Sequence, residues 1–171
     1  TIGDFSPKVF PIPSGLKEEI IKAYTDDQTN YPPADGIKIT REAIAQFLNE
    51  RGGFDYKPNE ILIGAGARPL TYSLFTAVVN PGDTIIYPAP SWNNNCYVQL
   101  SGGKGAAVET SPETNFVPTA ESIRPHIGKA SLLALNSPLN PSGTAIAKDE
   151  LKKICEMVVE ENKKRGAEKK P

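Results

Sequence analysis

The chain has 171 residues, 23% of them charged, and a formal net charge of −1. A length of about one domain is enough to bury a core, and the near-zero net charge argues against nucleic acid or an anionic membrane as a partner. No apolar run reaches the roughly 18–20 residues that span a bilayer and no signal-peptide pattern opens the chain, so we predict a cytoplasmic protein that binds small molecules.

The first third of the chain is predicted to hold an extended arm and two amphipathic helices. Several prolines favour an extended arm over residues 1–13. Apolar residues at helical spacing predict helices at about 14–25 and 40–51. The loop between the helices, residues 30–36, is stiffened by two prolines, and its one large side chain is Tyr31.

The next stretch has the pattern of a strand, a turn, a helix and a second strand. Residues 61–63 are apolar and two of them are β-branched isoleucines, which suits a strand buried on both faces. Small residues follow as a turn, and Pro69 is tolerated in the first turn of the helix that comes next. Residues 84–87 are the second predicted strand. This order is that of a right-handed crossover in a parallel sheet.

The turn before this helix has the chemistry of an anion site. Free backbone N–H groups at Gly66, Ala67 and Arg68 would point out of the helix end, where the helix dipole adds partial positive charge. The side chain of Arg68 adds a full charge. A tight strand-to-helix turn without any ligand is the alternative interpretation.

The second half of the chain continues the alternation. Helices are expected at about 93–101, 119–127 and 148–165, and strands at 106–109 and 131–135. The last strand leads into a proline-stiffened loop with two asparagines, at the carboxyl end where open α/β sheets bind ligands. The alternation predicts an α/β fold, a three-layer sheet with helices on both faces.

Two further patterns concern the last helix and the potential metal ligands. Five apolar side chains of the last helix are expected to face inward: Leu151, Ile154, Cys155, Val158 and Val159. Cys96 and Cys155 are the two cysteines, and His126 is the single histidine. These numbers and spacings favour ordinary thiols, with no disulfide framework and no metal site.

Five short motifs follow one another along the chain. They are Tyr31-Pro32-Pro33-Ala34-Asp35-Gly36, Gly66-Ala67-Arg68, Asn80-Pro81-Gly82-Asp83, Pro88-Ala89-Pro90-Ser91-Trp92 and Asn136-Ser137-Pro138-Leu139-Asn140-Pro141-Ser142-Gly143. Together they resemble the class I and II family of pyridoxal-phosphate-dependent aminotransferases, of fold type I. The resemblance implies that residues 1–30 are the N-terminal arm and first helix. Residues 31–171 are then the N-terminal part of the truncated cofactor-binding large domain, and the rest of the family's chain is expected to follow.

The resemblance gives the motifs roles around pyridoxal 5′-phosphate. Gly66, Ala67 and Arg68 would form the phosphate cup. Trp92 would lie flat on the pyridine ring and also contact the substrate, and its alternative role is a core or interface aromatic. Asn140 would hydrogen-bond the phenolic oxygen of the ring and approach the substrate carboxylate, and its alternative role is to satisfy backbone groups of its own loop.

Two further residues are assigned by the same resemblance. Tyr31 would reach across a homodimer interface to the cofactor phosphate of the other subunit, against the alternative of packing on its own subunit. Gly3 would pass close to the substrate carboxylate. The resemblance also implies a cis bond between Asn140 and Pro141.

The activity implied is transfer of an amino group between an amino acid and a 2-oxo acid. The family's ring-binding aspartate and its neighbouring tyrosine, its Schiff-base lysine and its main carboxylate-binding arginine belong to segments beyond residue 171. We therefore expect no catalytic residue and no activity in this piece alone, and an active homodimer in the whole protein. The sequence does not identify the amino-acid substrate.

Three alternatives stay open at this point. A carbon–sulfur lyase or an amino-acid decarboxylase of the same fold would share these motifs. A phosphate-binding or cofactor-binding module without catalysis is the second alternative, although Pro69 stands where a dinucleotide fingerprint needs its third glycine. The third is a catalytically inactive remnant with a structural role.

Overall fold

The computed structural model describes residues 5–166. Its helices are α1 (Ser14–Thr25), α2 (Lys38–Gly52), α3 (Ala67–Val78), α4 (Asn94–Leu100), α5 (Ala120–Ile127) and α6 (Lys148–Arg165). Its strands are β1 (Thr84–Ala89), β2 (Lys104–Glu109) and β3 (Ala130–Leu133). No helix within residues 5–166 is long and apolar enough to cross a bilayer.

The chain divides into two compact units, the first ending at Gly64 and the second beginning at Ala65. The first unit contains α1 and α2, and none of the side chains of α1 is buried. In this unit the guanidinium of Arg41 donates to the carbonyl oxygens of Gly36 and Pro58 at 3.1 and 3.0 Å. These bonds, with an ion pair to Asp35 at 3.1 Å, fix the start of α2 against the loops on either side of it.

The strand predicted at residues 61–63 is wrong. This segment is extended but makes no ladder, and Leu62 is exposed. Ile63 N–H donates to the loop carbonyl of Asp35 at 3.1 Å, next to Gly36, whose φ of +100° and close approach to the Ile63 side chain require glycine. An apolar, β-branched run supplies only one side of a strand pair, and within residues 5–166 no second strand lies beside it.

The second unit is built on a parallel sheet in the order β2-β1-β3. Ile85 and Ile86 of the central strand are both fully buried, and as neighbours in a strand they face opposite sides of the sheet. Ile85 packs with Phe75 of α3 and Val98 of α4. On the other face, Ile86 belongs to a cluster completed by side chains of α5 and α6. The predicted three-layer α/β arrangement, with helices on both faces, is confirmed.

The apolar face of α6 differs from its prediction. The helix has the expected bounds and buries Ile154 as predicted, but its second buried side chain is Met157. Leu151, Cys155 and Val159 are exposed. Periodicity gives the direction of an apolar face but not how much of its width a neighbouring element covers, and here the contact with the core is one narrow row.

Glu150 of α6 caps the start of α5. Ala120 N–H donates to Glu150 Oε1 at 2.7 Å. This bond, together with the Lys153 ammonium at 3.0 Å, lowers the pKa of Glu150 below its ordinary value. The stabilisation is therefore present above the unfolded-state pKa of about 4.3 and is lost as the pH falls through the lower folded-state pKa.

We expect Glu150→Gln to lower the free energy of unfolding by about 0.3–1 kcal/mol at neutral pH, because a negative charge at a helix N-terminus contributes that much. Urea unfolding at neutral pH and at about pH 3 measures this, and the difference from wild type is expected to be smaller at the lower pH, where the Glu150 carboxylate becomes protonated. Glu160→Gln, an exposed position on the same helix, is the control. Equal stability of Glu150→Gln and wild type at neutral pH would contradict the capping role.

Candidate functional site

A cleft of about 470 Å³ opens in the second unit. Its walls include the start of α3 and the loops that follow β1 and β3, so it lies at the carboxyl ends of two parallel strands. Ligand sites have volumes of about 300–1,000 Å³, and open α/β sheets bind ligands at this edge. Ala67, Arg68, Trp92 and Asn140, all selected from the sequence, line the cleft together.

The start of α3 provides unpaired donors. Gly66 is the N-cap with a φ of +106°, a conformation that favours glycine, and no side chain caps the helix. Among residues 5–166, the backbone N–H groups of Gly66, Ala67 and Arg68 have no hydrogen-bond acceptor. Pro69 lies in the first turn, as predicted. This helix end therefore offers N–H groups and the cation of Arg68 to an anion.

The loop after β1 places Trp92 beside this helix end. The guanidinium carbon of Arg68 lies over the indole ring, 4.4 Å from its centroid. Trp92 is 48% exposed, so much of its ring surface is open to a ligand. The backbone N–H of Trp92 donates to the backbone carbonyl oxygen of Asn140 at 3.0 Å, and this bond connects the loop after β1 to the loop after β3.

The loop after β3 holds Asn140 at the cleft. Leu139 is buried, and its N–H donates to the carbonyl oxygen of Thr144 at 2.8 Å. Gly143 N–H donates back to the carbonyl oxygen of Leu139 at 2.7 Å, which closes the loop. The Asn140 side chain makes no hydrogen bond to any described residue, so its amide is free to bind a ligand. The bond to Pro141 is cis, as predicted.

Several cleft residues were not identified from the sequence. Asn94 and Tyr97 of α4 line the cleft, and the Tyr97 ring packs on Phe75 with 5.4 Å between the ring centroids. Asn94 Nδ2 donates to Ser91 Oγ at 3.1 Å. Residues 94 and 97 are three apart and share a helix face, and this spacing is the sequence signal that could have identified them. Asn136 of the last motif also lines the cleft.

Tyr31 and Gly3 are the other two predicted residues. Tyr31 belongs to the first unit, where its side chain is 98% exposed. Gly3 lies outside the described residues. Within residues 5–166, no three His, Cys, Asp or Glu side chains lie close enough together to hold a metal ion.

Comparisons with known proteins identify the family. The pattern of the family described as Aminotransferase class I and II matches residues 4–163. An aspartate aminotransferase of Bacillus sp. (strain YM-2) is 33% identical over 155 residues, which cover 90% of this chain and 40% of the relative. An aspartate/prephenate aminotransferase of Thermus thermophilus is 34% identical over 153 residues, 88% of this chain and 40% of the relative.

Solved structures agree. The aspartate aminotransferase from Thermus thermophilus with maleate superposes with a TM-score of 0.83 at 34% identity, over 88% of this chain and 40% of that one. An aromatic aminotransferase from Pyrococcus horikoshii OT3 gives a TM-score of 0.84 at 30% identity, over 92% of this chain and 42% of that one. The chain thus spans about 40% of the length of the relatives it matches. It belongs to the aminotransferase class I and II family and has the fold-type I architecture.

Proposed function

We propose that the protein containing these residues transfers an amino group between an amino acid and a 2-oxo acid. Family membership supports pyridoxal 5′-phosphate as its cofactor. The observation that carries the proposal is the joining of three kinds of group in one cleft: the cation Arg68 at a helix N-terminus, the indole ring of Trp92 and the free amide of Asn140. The named relatives favour transamination over a lyase, a decarboxylase or a module without catalysis.

The donor set fits the parts of pyridoxal 5′-phosphate. A phosphate suits the N–H groups at the start of α3 and the guanidinium of Arg68. A planar pyridine ring suits the indole face of Trp92, since aromatic rings prefer offset or edge contacts with one another. The phenolic oxygen suits the amide N–H of Asn140. When bound, the cofactor supplies an electron sink for bonds at the amino acid's α-carbon.

Each residue then has a distinct task. Arg68 and the α3 N–H groups hold the phosphate and so fix the position of the ring. Trp92 covers one face of the ring and excludes water from it. Asn140 donates a hydrogen bond to the phenolic oxygen, which favours the deprotonated state of that atom, and it also approaches the substrate carboxylate.

We further propose that the whole protein is a homodimer in which Tyr31 reaches the cofactor phosphate of the other subunit, while Gly3 approaches the substrate carboxylate. The almost complete exposure of Tyr31 leaves its ring free for such a contact. The assignment of residues 1–30 to an arm and first helix, and of 31–171 to the large domain, belongs to the same proposal. So does a cytoplasmic location, with which two free cysteines agree.

Subunit mixing tests the position of Tyr31. In the whole protein, Tyr31→Ala and Trp92→Ala are each expected to impair their sites. If Tyr31 serves the other subunit, mixed dimers contain one site with both defects and one intact site, and an equal mixture regains about a quarter of the wild-type sites. If Tyr31 serves its own subunit, every site in a mixed dimer carries one defect and no activity returns.

A direct assay of amino transfer tests the activity. The relatives named above suggest aspartate as the first amino donor. We expect the whole protein to convert aspartate and a 2-oxo acid into a new 2-oxo acid and a new amino acid in equal amounts. Release of carbon dioxide from the amino acid, or of a thiol from a sulfur-containing amino acid, without consumption of the acceptor would point to the decarboxylase or the lyase instead. No reaction of any kind across the common amino acids, with pyridoxal 5′-phosphate added, would contradict an enzymatic role.

A further inference from the structure

Arg68 and Trp92 are stacked on each other, although the proposed function gives them separate tasks. The guanidinium carbon lies 4.4 Å from the indole centroid, well inside the roughly 6 Å range of cation–π contacts. Both side chains line the same cleft. A guanidinium over the indole occupies one of its two faces, and a planar ligand that stacks on that face must displace it.

Arg68 is free to leave this position. Within residues 5–166, Arg68 has no ion pair and its guanidinium donates no hydrogen bond. The contrast with Arg165 is clear, because its guanidinium is paired with Glu161 and also donates to the carbonyl oxygens of Ala130 and Ile127. The ring of Trp92 is therefore the main partner of the Arg68 cation, and a stronger partner nearby will draw it away.

The geometry points to Arg68 as a switch between two partners, the Trp92 ring and a ligand phosphate. This inference rests on the proposed function. A ligand with a phosphate provides the guanidinium with a new partner beside the α3 N–H groups while its ring takes the vacated indole face. A planar ring without a phosphate must displace Arg68 from the indole but provides no anion to which the guanidinium can bind. Arg68 thereby favours phosphorylated ring ligands in two ways. It lowers the affinity for unphosphorylated rings, and it binds the phosphate of phosphorylated ones.

Removing the charge of Arg68 should change the affinities for unphosphorylated and phosphorylated ring ligands in opposite directions. An exposed cation–π contact corresponds to about a 2- to 5-fold change in affinity. An unphosphorylated ring should thus bind Arg68→Met about 2- to 5-fold more tightly than wild type. Loss of a hydrogen bond to a charged group corresponds to about a 10- to 100-fold loss of affinity. A phosphorylated ring should therefore bind Arg68→Met more weakly than wild type by that factor.

Calorimetric titration of the 171-residue chain measures both effects. The ligands are pyridoxine and pyridoxine 5′-phosphate, which lack the aldehyde that reacts with lysine side chains. Arg51→Met is the matched control, because Arg51 also lies over an aromatic ring, that of Phe47 at 4.9 Å, and lines no part of the cleft. The control variant should bind both ligands as wild type does.

Tryptophan fluorescence gives a second readout. Trp92 is the single tryptophan of the chain, so the emission reports on this ring alone. Inorganic phosphate is expected to change the emission of the wild type and of Arg51→Met, because it draws the guanidinium off the indole. The same titration should leave the emission of Arg68→Met unchanged.

The outcomes separate this inference from the proposed function. If Arg68→Met weakens binding of pyridoxine 5′-phosphate but leaves pyridoxine binding unchanged, Arg68 is a simple phosphate ligand and the switch is overturned, while the cofactor site stands. If Arg68→Met leaves the binding of both ligands unchanged, the switch and the role of Arg68 in the site both fail. Tighter binding of pyridoxine together with weaker binding of its phosphate supports the switch.

Discussion

Replacing Phe75 with alanine is expected to lower the free energy of unfolding by about 3–5 kcal/mol, the usual cost of removing a large buried aromatic side chain. Phe75 is 2% exposed and packs with Ile85 and Val98 between the sheet and two helices. Its ring also contacts Tyr97. The cavity left behind would lie directly under the cleft, so the loss includes the packing that holds α3 and α4 in place.

Urea unfolding followed by the fluorescence of Trp92 measures this loss, since Trp92 belongs to the same unit as Phe75. Leu74→Ala is the matched control. It removes an exposed side chain from the neighbouring position of the same helix and is expected to change the free energy of unfolding by about 0.5 kcal/mol or less. Similar losses in the two variants would mean that α3 does not pack on the sheet through Phe75.

The helices and strands of the second unit could be predicted from the sequence because the apolar pattern and the turn residues indicate the same boundaries there. β1 and α6 appear where the apolar pattern placed them, and glycine or proline marks most of the intervening turns. The three-layer arrangement follows from such a series of alternating strands and helices, since each strand must bury two faces and each helix one.

The errors concern information that is not local. Residues 61–63 have the composition of a strand, but a strand also needs a neighbour that supplies backbone hydrogen bonds, and composition says nothing about the neighbour. In the same way, the apolar stripe of α1 predicted the helix correctly, although none of its side chains is buried, and Leu151 and Val159 of α6 were expected to face inward but are exposed. Whether an apolar face is covered depends on other elements of the fold.

The candidate site was predictable in its parts but not in its internal contacts. The motifs identified Arg68, Trp92 and Asn140, and the position of these residues at strand and helix ends explains why they share a cleft. The stacking of Arg68 on Trp92 and the backbone bond from Trp92 to Asn140 depend on the paths of two loops. No pattern in the sequence specifies those paths.

The second large effect is expected for Trp92→Ala in the binding of pyridoxine 5′-phosphate. Stacking of a planar heteroaromatic ring on an aromatic side chain is worth about 1–3 kcal/mol by alanine substitution, which corresponds to about 5- to 150-fold in affinity. Calorimetric titration of the full chain measures the loss. Trp92→Phe keeps an aromatic face and should lose less. Equal affinities of wild type and Trp92→Ala would remove Trp92 from the proposed site.

The Trp92→Ala variant also tests the coupling to Arg68. In wild type, loss of the Arg68 charge frees the indole face and favours pyridoxine, but in Trp92→Ala there is no indole left to free. Adding Arg68→Met to Trp92→Ala should therefore give no gain in pyridoxine binding, while the loss for pyridoxine 5′-phosphate persists because the phosphate contact is independent of the ring. If the gain for pyridoxine persisted without the indole, it would arise from the charge of Arg68 itself, and the stacking seen in the structure would have no part in ligand selection.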